Sequence, residues 1–183
     1  MVYLKSRDVA AIAISAALWG VLNSLFSPIF FSVFGLPFLC DLIGFSVLTL
    51  SAWWIRKLGA ITAIGLIATV VNFTFNPRAT HFLGFAAASV VFDITSRLAG
   101  YGNFFKKPLY TMIIAITIST ISAAFAGLVI GAFFMTGTAL AIWGGVLGWA
   151  GLHAIGGVIG GSIGGLTVNM LVYRKVSTTT TTV

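Results

Sequence analysis

Gly145-Val-Leu-Gly-Trp149-Ala-Gly-Leu-His153-Ala-Ile-Gly156-Gly157-Val-Ile-Gly160-Gly161-Ser-Ile-Gly164-Gly165-Leu-Thr-Val-Asn169 has no charged residue and repeats its glycines in pairs. At helical spacing it yields an i, i+4 series of Gly145, Trp149, His153, Gly157, Gly161, Gly165 and Asn169. A second row, Gly156, Gly160 and Gly164, lies beside it. Small residues four apart let helix backbones approach closely, as helices packed in lipid do. The stretch lies within an uncharged run from Ala139 to Tyr173 that stops at Arg174-Lys175. About 20 apolar residues cross a hydrocarbon core, so the run predicts a spanning helix.

The rest of the chain agrees. It has 183 residues, of which 10 are basic and 3 acidic; 59% are hydrophobic. Mean hydropathy is +1.10. Soluble domains are about 25% charged, and at 7% charged this chain could not cover a water-facing surface. A soluble enzyme, a disordered tail and a nucleic-acid-binding domain are excluded. The acids are Asp8, Asp41 and Asp93, with no Glu, so glutamate chemistry such as an HExxH zinc site is excluded too. The lone cysteine, Cys40, reads as a small packing residue.

Six spans are expected, giving an all-α bundle in one domain, residues 1–176. They run about Val9 to Phe26, Phe38 to Trp54, Gly59 to Phe75, Ala79 to Ala99, Leu109 to Met135 and Ala139 to Tyr173. Ser27 to Pro37 contains Pro28, Gly35 and Pro37 and reads as a loop or short re-entrant piece. With the N-terminus inside, Lys5, Arg7, Arg56, Lys57, Arg97, Lys106, Lys107, Arg174 and Lys175 all face the cytoplasm, and Arg78 alone lies outside. Such a bias is the positive-inside pattern, so both termini are expected in the cytoplasm and the chain in the plasma membrane. A cleaved signal peptide is the rival reading of the first span, but its loss would leave five spans. The Thr-rich tail at 177–183 is expected to be a mobile cytoplasmic end.

Polar groups within a bilayer need a partner or a cavity. On this topology Asn23, Asp41, Asn72, Asn76, Arg78, His81, Trp143, Trp149 and His153 all fall in the outer half. Each has a bland role open to it: Trp143 and Trp149 as interfacial belt residues, the asparagines as interhelical glue, the histidines as satisfied core groups. Together they suggest an outward-facing, aromatic-walled pocket for a small ligand. Asp93 and Arg97, one turn apart in the inner half, suggest an i, i+4 ion pair, with a cytoplasmic partner for Arg97 as the alternative. Ala10, Ala13 and Ala17 form a stripe on the first helix that suits either internal packing or docking.

Enzyme motifs fail. Gly160-Gly-Ser-Ile-Gly164 has the G-x-S-x-G form but lies mid-helix rather than on a strand-to-helix turn. His153 is nine residues from Ser162, roughly 13 Å along a helix axis, too far for a dyad. There is no P-loop, and depth separates Asp93 from Asp41, His81 and His153, so no metal site gathers.

Ala13-x-x-x-Ala17, Gly84-Phe85-Ala-Ala-Ala-Ser-Val-Val-Phe-Asp93 and the Gly-rich ending His153 to Gly165 before Arg174, across nearly the whole chain, resemble the substrate-binding S components of energy-coupling factor (ECF) vitamin transporters. The resemblance implies capture of a vitamin or related small molecule from outside. It implies a membrane T component and two cytoplasmic ATPases as partners, with ATP used by them and no cofactor on this chain. Ala13 and Ala17 would be the docking residues. Cobalt and nickel members begin with a metal-binding Met-His terminus; this chain begins Met1-Val2-Tyr3, which argues against those metals. The alternative is a structural or assembly subunit of a larger membrane complex, without a ligand.

Overall fold

A computed structural model describes residues 3–135 and 137–176. The tail expected to be mobile, 177–183, lies outside the described residues. The architecture is all-α, with no strand among the described residues. The helices are α1 (Ser6–Phe34), α2 (Phe38–Ile55), α3 (Ala60–Phe75), α4 (Phe82–Ala99), α5 (Tyr101–Phe104), α6 (Pro108–Phe133), α7 (Gly137–Ile142) and α8 (Gly145–Tyr173). Five of them, α1, α2, α4, α6 and α8, are long and apolar enough to cross a membrane, so the chain is a multi-pass membrane protein. α3 is apolar but has 16 residues. At 1.5 Å per residue it reaches roughly 24 Å, short of the roughly 30 Å hydrocarbon thickness.

Two boundaries differ from expectation. Ser27 to Phe34 is neither loop nor re-entrant: α1 runs straight through Pro28. Proline removes one backbone donor, whereas unwinding in an apolar medium would strand several, so continuing the helix is the cheaper arrangement. α1 ends instead at Gly35, whose φ of 68° allows its N–H to close on Phe31 O. The run Ala139 to Tyr173 is also not one helix. Gly144 and Gly145, both at φ 78°, break it into α7 and α8.

The helices close a ring in the order α1, α3, α4, α6, α8, α2 and back to α1. α8 sits between α2 and α6, and its two glycine rows divide the work. A Cβ on Gly160 would lie 2.6 Å from Asp41 O of α2, and one on Gly164 2.7 Å from Thr49 Cβ. On the other row, a Cβ on Gly157 would lie 2.6 Å from Ser119 O of α6, and one on Gly161 2.7 Å from Ala115 O. Both rows are therefore consumed inside the bundle. Asn169, at the end of the series, donates to Pro108 O at the start of α6 (3.1 Å). The ring's interior is filled by Trp19, Phe45, Phe82, Phe85 and Phe92, with ring centroids 5.5 to 6.5 Å apart.

One end of the bundle is tied by polar contacts. Lys57 pairs with Asp8 at 2.6 Å and also donates to Tyr3 O. Asp8 accepts from Lys5 N–H, capping α1. The Arg56 guanidinium lies 5.5 Å from the centre of the Phe105 ring. Asp93 does not pair with Arg97 as expected. Its Oδ2 accepts from Gly59 N–H (2.8 Å), Thr62 N–H (3.0 Å) and Thr62 Oγ1–H (2.9 Å). The carboxylate of α4 thus caps the N-terminus of α3, where free N–H groups and the helix dipole both favour an anion. Asp93→Ala should cost about 0.5–2 kcal/mol, the range for a lost helix cap. Arg97→Ala should stay within about 0.5 kcal/mol. Thermal melting in detergent measures both; equal losses would restore the ion pair.

Candidate ligand cavity

A cavity of about 410 Å³ lies at the end of the bundle away from the Asp8–Lys57 and Asp93 contacts. Each helix that enters it does so by the appropriate end. α1 contributes Asn23, Ser27, Pro28 and Phe31 from its later turns, and α2 contributes Cys40 from its first. α3 brings Asn72 and Asn76 from its C-terminus. His81 and Phe85 stand at the start of α4, Ile130 near the end of α6, and Trp149 and His153 in the first turns of α8.

Six of the nine residues singled out in sequence therefore share one wall: Asn23, Asn72, Asn76, His81, Trp149 and His153. Asp41 stands behind it, fully buried, with Oδ1 3.0 Å from His153 Nδ1. Arg78 is exposed and lines nothing. Trp143 is half-buried; its ring faces Gly35, and it is not in the wall. Ala13 and Ala17 are exposed on the outside of α1, so none of the described helices packs over them. Ser162 is half-buried and donates to Val158 O in its own helix, which gives it no nucleophile's setting.

A chain of hydrogen bonds organises the α1–α3 side. Ser27 Oγ–H donates to Asn23 Oδ1 (2.9 Å), and Asn23 Nδ2–H donates to Asn72 Oδ1 (3.4 Å). Asn72 Nδ2 is then left without a protein partner. Two further wall residues have a buried polar atom in the same condition, Trp149 at Nε1 and His153 at Nε2. Unpaired buried donors are rare in native structures and cost about 1–3 kcal/mol each. Three around one cavity are what a site waiting for a hydrogen-bonding guest would hold.

Aromatic rings supply the rest of the wall. Trp149 lies edge-on to His153 at 5.4 Å and to Phe31 at 6.3 Å, and Phe85 edge-on to His153 at 5.6 Å. Among the described residues no three of His, Cys, Asp or Glu gather closely enough to hold a metal ion.

Ser27, Pro28 and Phe31 were missed because their segment reads as a loop. The signal was present: Asn23, Ser27 and Phe31 form an i, i+4 series that appears once the helix is continued past Pro28. Cys40, read as a packing residue, is buried and also part of the wall. No family model matches the chain, no curated protein matches it, and no solved structure matches it.

Asp41→Ala would leave His153 Nδ1 buried and unpaired and should cost about 1–3 kcal/mol. Arg78→Ala, outside the wall, should stay within about 0.5 kcal/mol. Thermal melting of the two variants side by side checks the assignment, and equal stability would refute it.

Proposed function

We propose that the chain is the substrate-binding membrane subunit of an ECF-type uptake transporter, capturing a vitamin or related small molecule for ATP-driven import by partner subunits. The observation that carries this reading is the aromatic-walled cavity with unpaired buried polar atoms, set at the end of the bundle opposite nine of the ten basic residues. Basic residues near spans mark the cytoplasmic side. The N-terminus, the α2–α3 turn, the α4–α6 connection and the α8 C-terminus carry nine of the ten. On that orientation α3 is the short sixth span, both termini are cytoplasmic, and the cavity opens outward across the plasma membrane.

The exposure of Ala13 and Ala17 supports their role as a docking face for a membrane T component, which would couple to two cytoplasmic ATPases. The glycine rows that made an assembly subunit the alternative are spent on α2 and α6, leaving that reading without its motive.

Vitamins and their precursors, screened by thermal shift on the purified protein, test the binding role. A ligand at a hundred times its Kd should add about 2.7 kcal/mol of stability. Absence of any shift across the panel would contradict it. Ala13→Trp combined with Ala17→Trp should abolish cellular uptake while leaving that shift intact; unchanged uptake would contradict the docking role.

A further inference from the structure

Among the described residues the wall of the cavity contains no Lys, Arg, Asp or Glu. Its three unpartnered buried atoms are Asn72 Nδ2, Trp149 Nε1 and His153 Nε2, and each residue is at least nine-tenths buried. We infer that the cavity takes an uncharged, planar ring compound with two or more hydrogen-bond acceptors along one edge, read by Asn72, Trp149 and His153. The assignment deepens, and rests on, the ligand-binding reading above.

Two of the donors are set by covalent structure and local bonding. Trp Nε1 only donates. Asn72 spends its oxygen on Asn23, whose own orientation is set by Ser27, so its amide NH₂ is the free group. The third follows from the charge of the Asp41–His153 pair. Neither residue reaches solvent, and Asp41 Oδ2 has no partner. A net negative charge there would be an unsolvated ion and is strongly disfavoured. Three neutral arrangements remain: carboxylate with imidazolium, and carboxylic acid with imidazole, the acid proton on Oδ1 or on Oδ2. A proton on Oδ2 would be a buried donor with no acceptor, so it is disfavoured. In the other two, one proton lies between Oδ1 and Nδ1 and the other is on Nε2. His153, a residue of the cavity wall, therefore carries a free donor at Nε2.

Three donors in an aromatic enclosure repel a cation, and without a Lys or Arg the wall lacks the countercharge an anion needs. A neutral acceptor edge satisfies all three donors, and the rings of Phe31, Phe85 and Trp149 suit a flat body.

Matched bicyclic probes test the assignment by thermal shift. They are 1,8-naphthyridine with two ring nitrogens on one edge, naphthalene with none, anionic 2-naphthoate, and cationic 2-naphthylmethylammonium. The naphthyridine should give the largest shift at pH 6.5, and Trp149→Phe, which keeps a ring and removes the donor, should at least halve it. His153→Phe, which keeps a ring and removes the donor, should also at least halve it. Asp41→Asn, which can donate to Nδ1 and keep the proton on Nε2, should retain the shift and is the second variant should His153→Phe not fold. A charged probe or naphthalene stabilising as well as the naphthyridine overturns the acceptor-edge assignment and leaves the ligand-binding role standing. So does the absence of any probe shift, since that role is judged on its own wider panel. A full naphthyridine shift in His153→Phe, or its loss in Asp41→Asn, overturns the part played by the Asp41–His153 pair.

Discussion

The close approach of α8 to α2 and α6 is the constraint on which the remaining structure depends. Two adjacent rows of glycine strip α8 of side chains on the two faces where neighbours arrive, and both neighbours close to backbone contact. Association of helices in lipid gains little from hydrophobic burial, so packing and interhelical hydrogen bonds must hold them. The glycine faces serve the first need. They serve the second by bringing Ser46 Oγ within 3.0 Å of Gly160 O and Asp41 within 3.0 Å of His153.

From that contact the cavity follows. α8 carries Trp149 and His153 in its first turns, where they join α1, α3 and α4 around the cavity. α6 stays close to this half too, since a Cβ on Gly127 would lie 2.7 Å from Ala150 Cα. The same helix thus supplies a close-packed seam and part of the cavity wall. Buried polar atoms without a partner occur in both, at Thr49 and Ser119 along the seam and at Asn72, Trp149 and His153 in the cavity wall.

Much of this was legible in the chain. The helical segments were visible from apolar run length, and the depth of polar residues followed from charge at the turns. Depth, however, does not give azimuth. Arg78 and Trp143 share the level of the cavity but face elsewhere, and only three-dimensional packing separates them from Asn76 and Trp149. Asp93 illustrates a second limit. The i, i+4 rule sees Arg97, whereas the stronger partners are backbone N–H groups of α3, thirty-one and thirty-four residues away. Pro28 shows a third: a proline reads as a break, yet an apolar surrounding makes the helix the best available state for its neighbours.

The contact of α8 with Asp41 can be examined through the imidazole it positions. The chain has two histidines, His81 and His153, so nitrogen-15 labelling of histidine gives two rings, and a His81→Gln variant assigns them. A Cβ at Gly156 would lie 2.6 Å from Asp41 Cβ, so Gly156→Ala must push α2 and α8 apart. The nitrogen spectrum of the native chain at neutral pH should show Nε2 of His153 protonated and Nδ1 in a hydrogen bond, and Gly156→Ala should abolish that bond. A bare Nε2 in the native chain, or a spectrum unchanged by the alanine, would contradict the account.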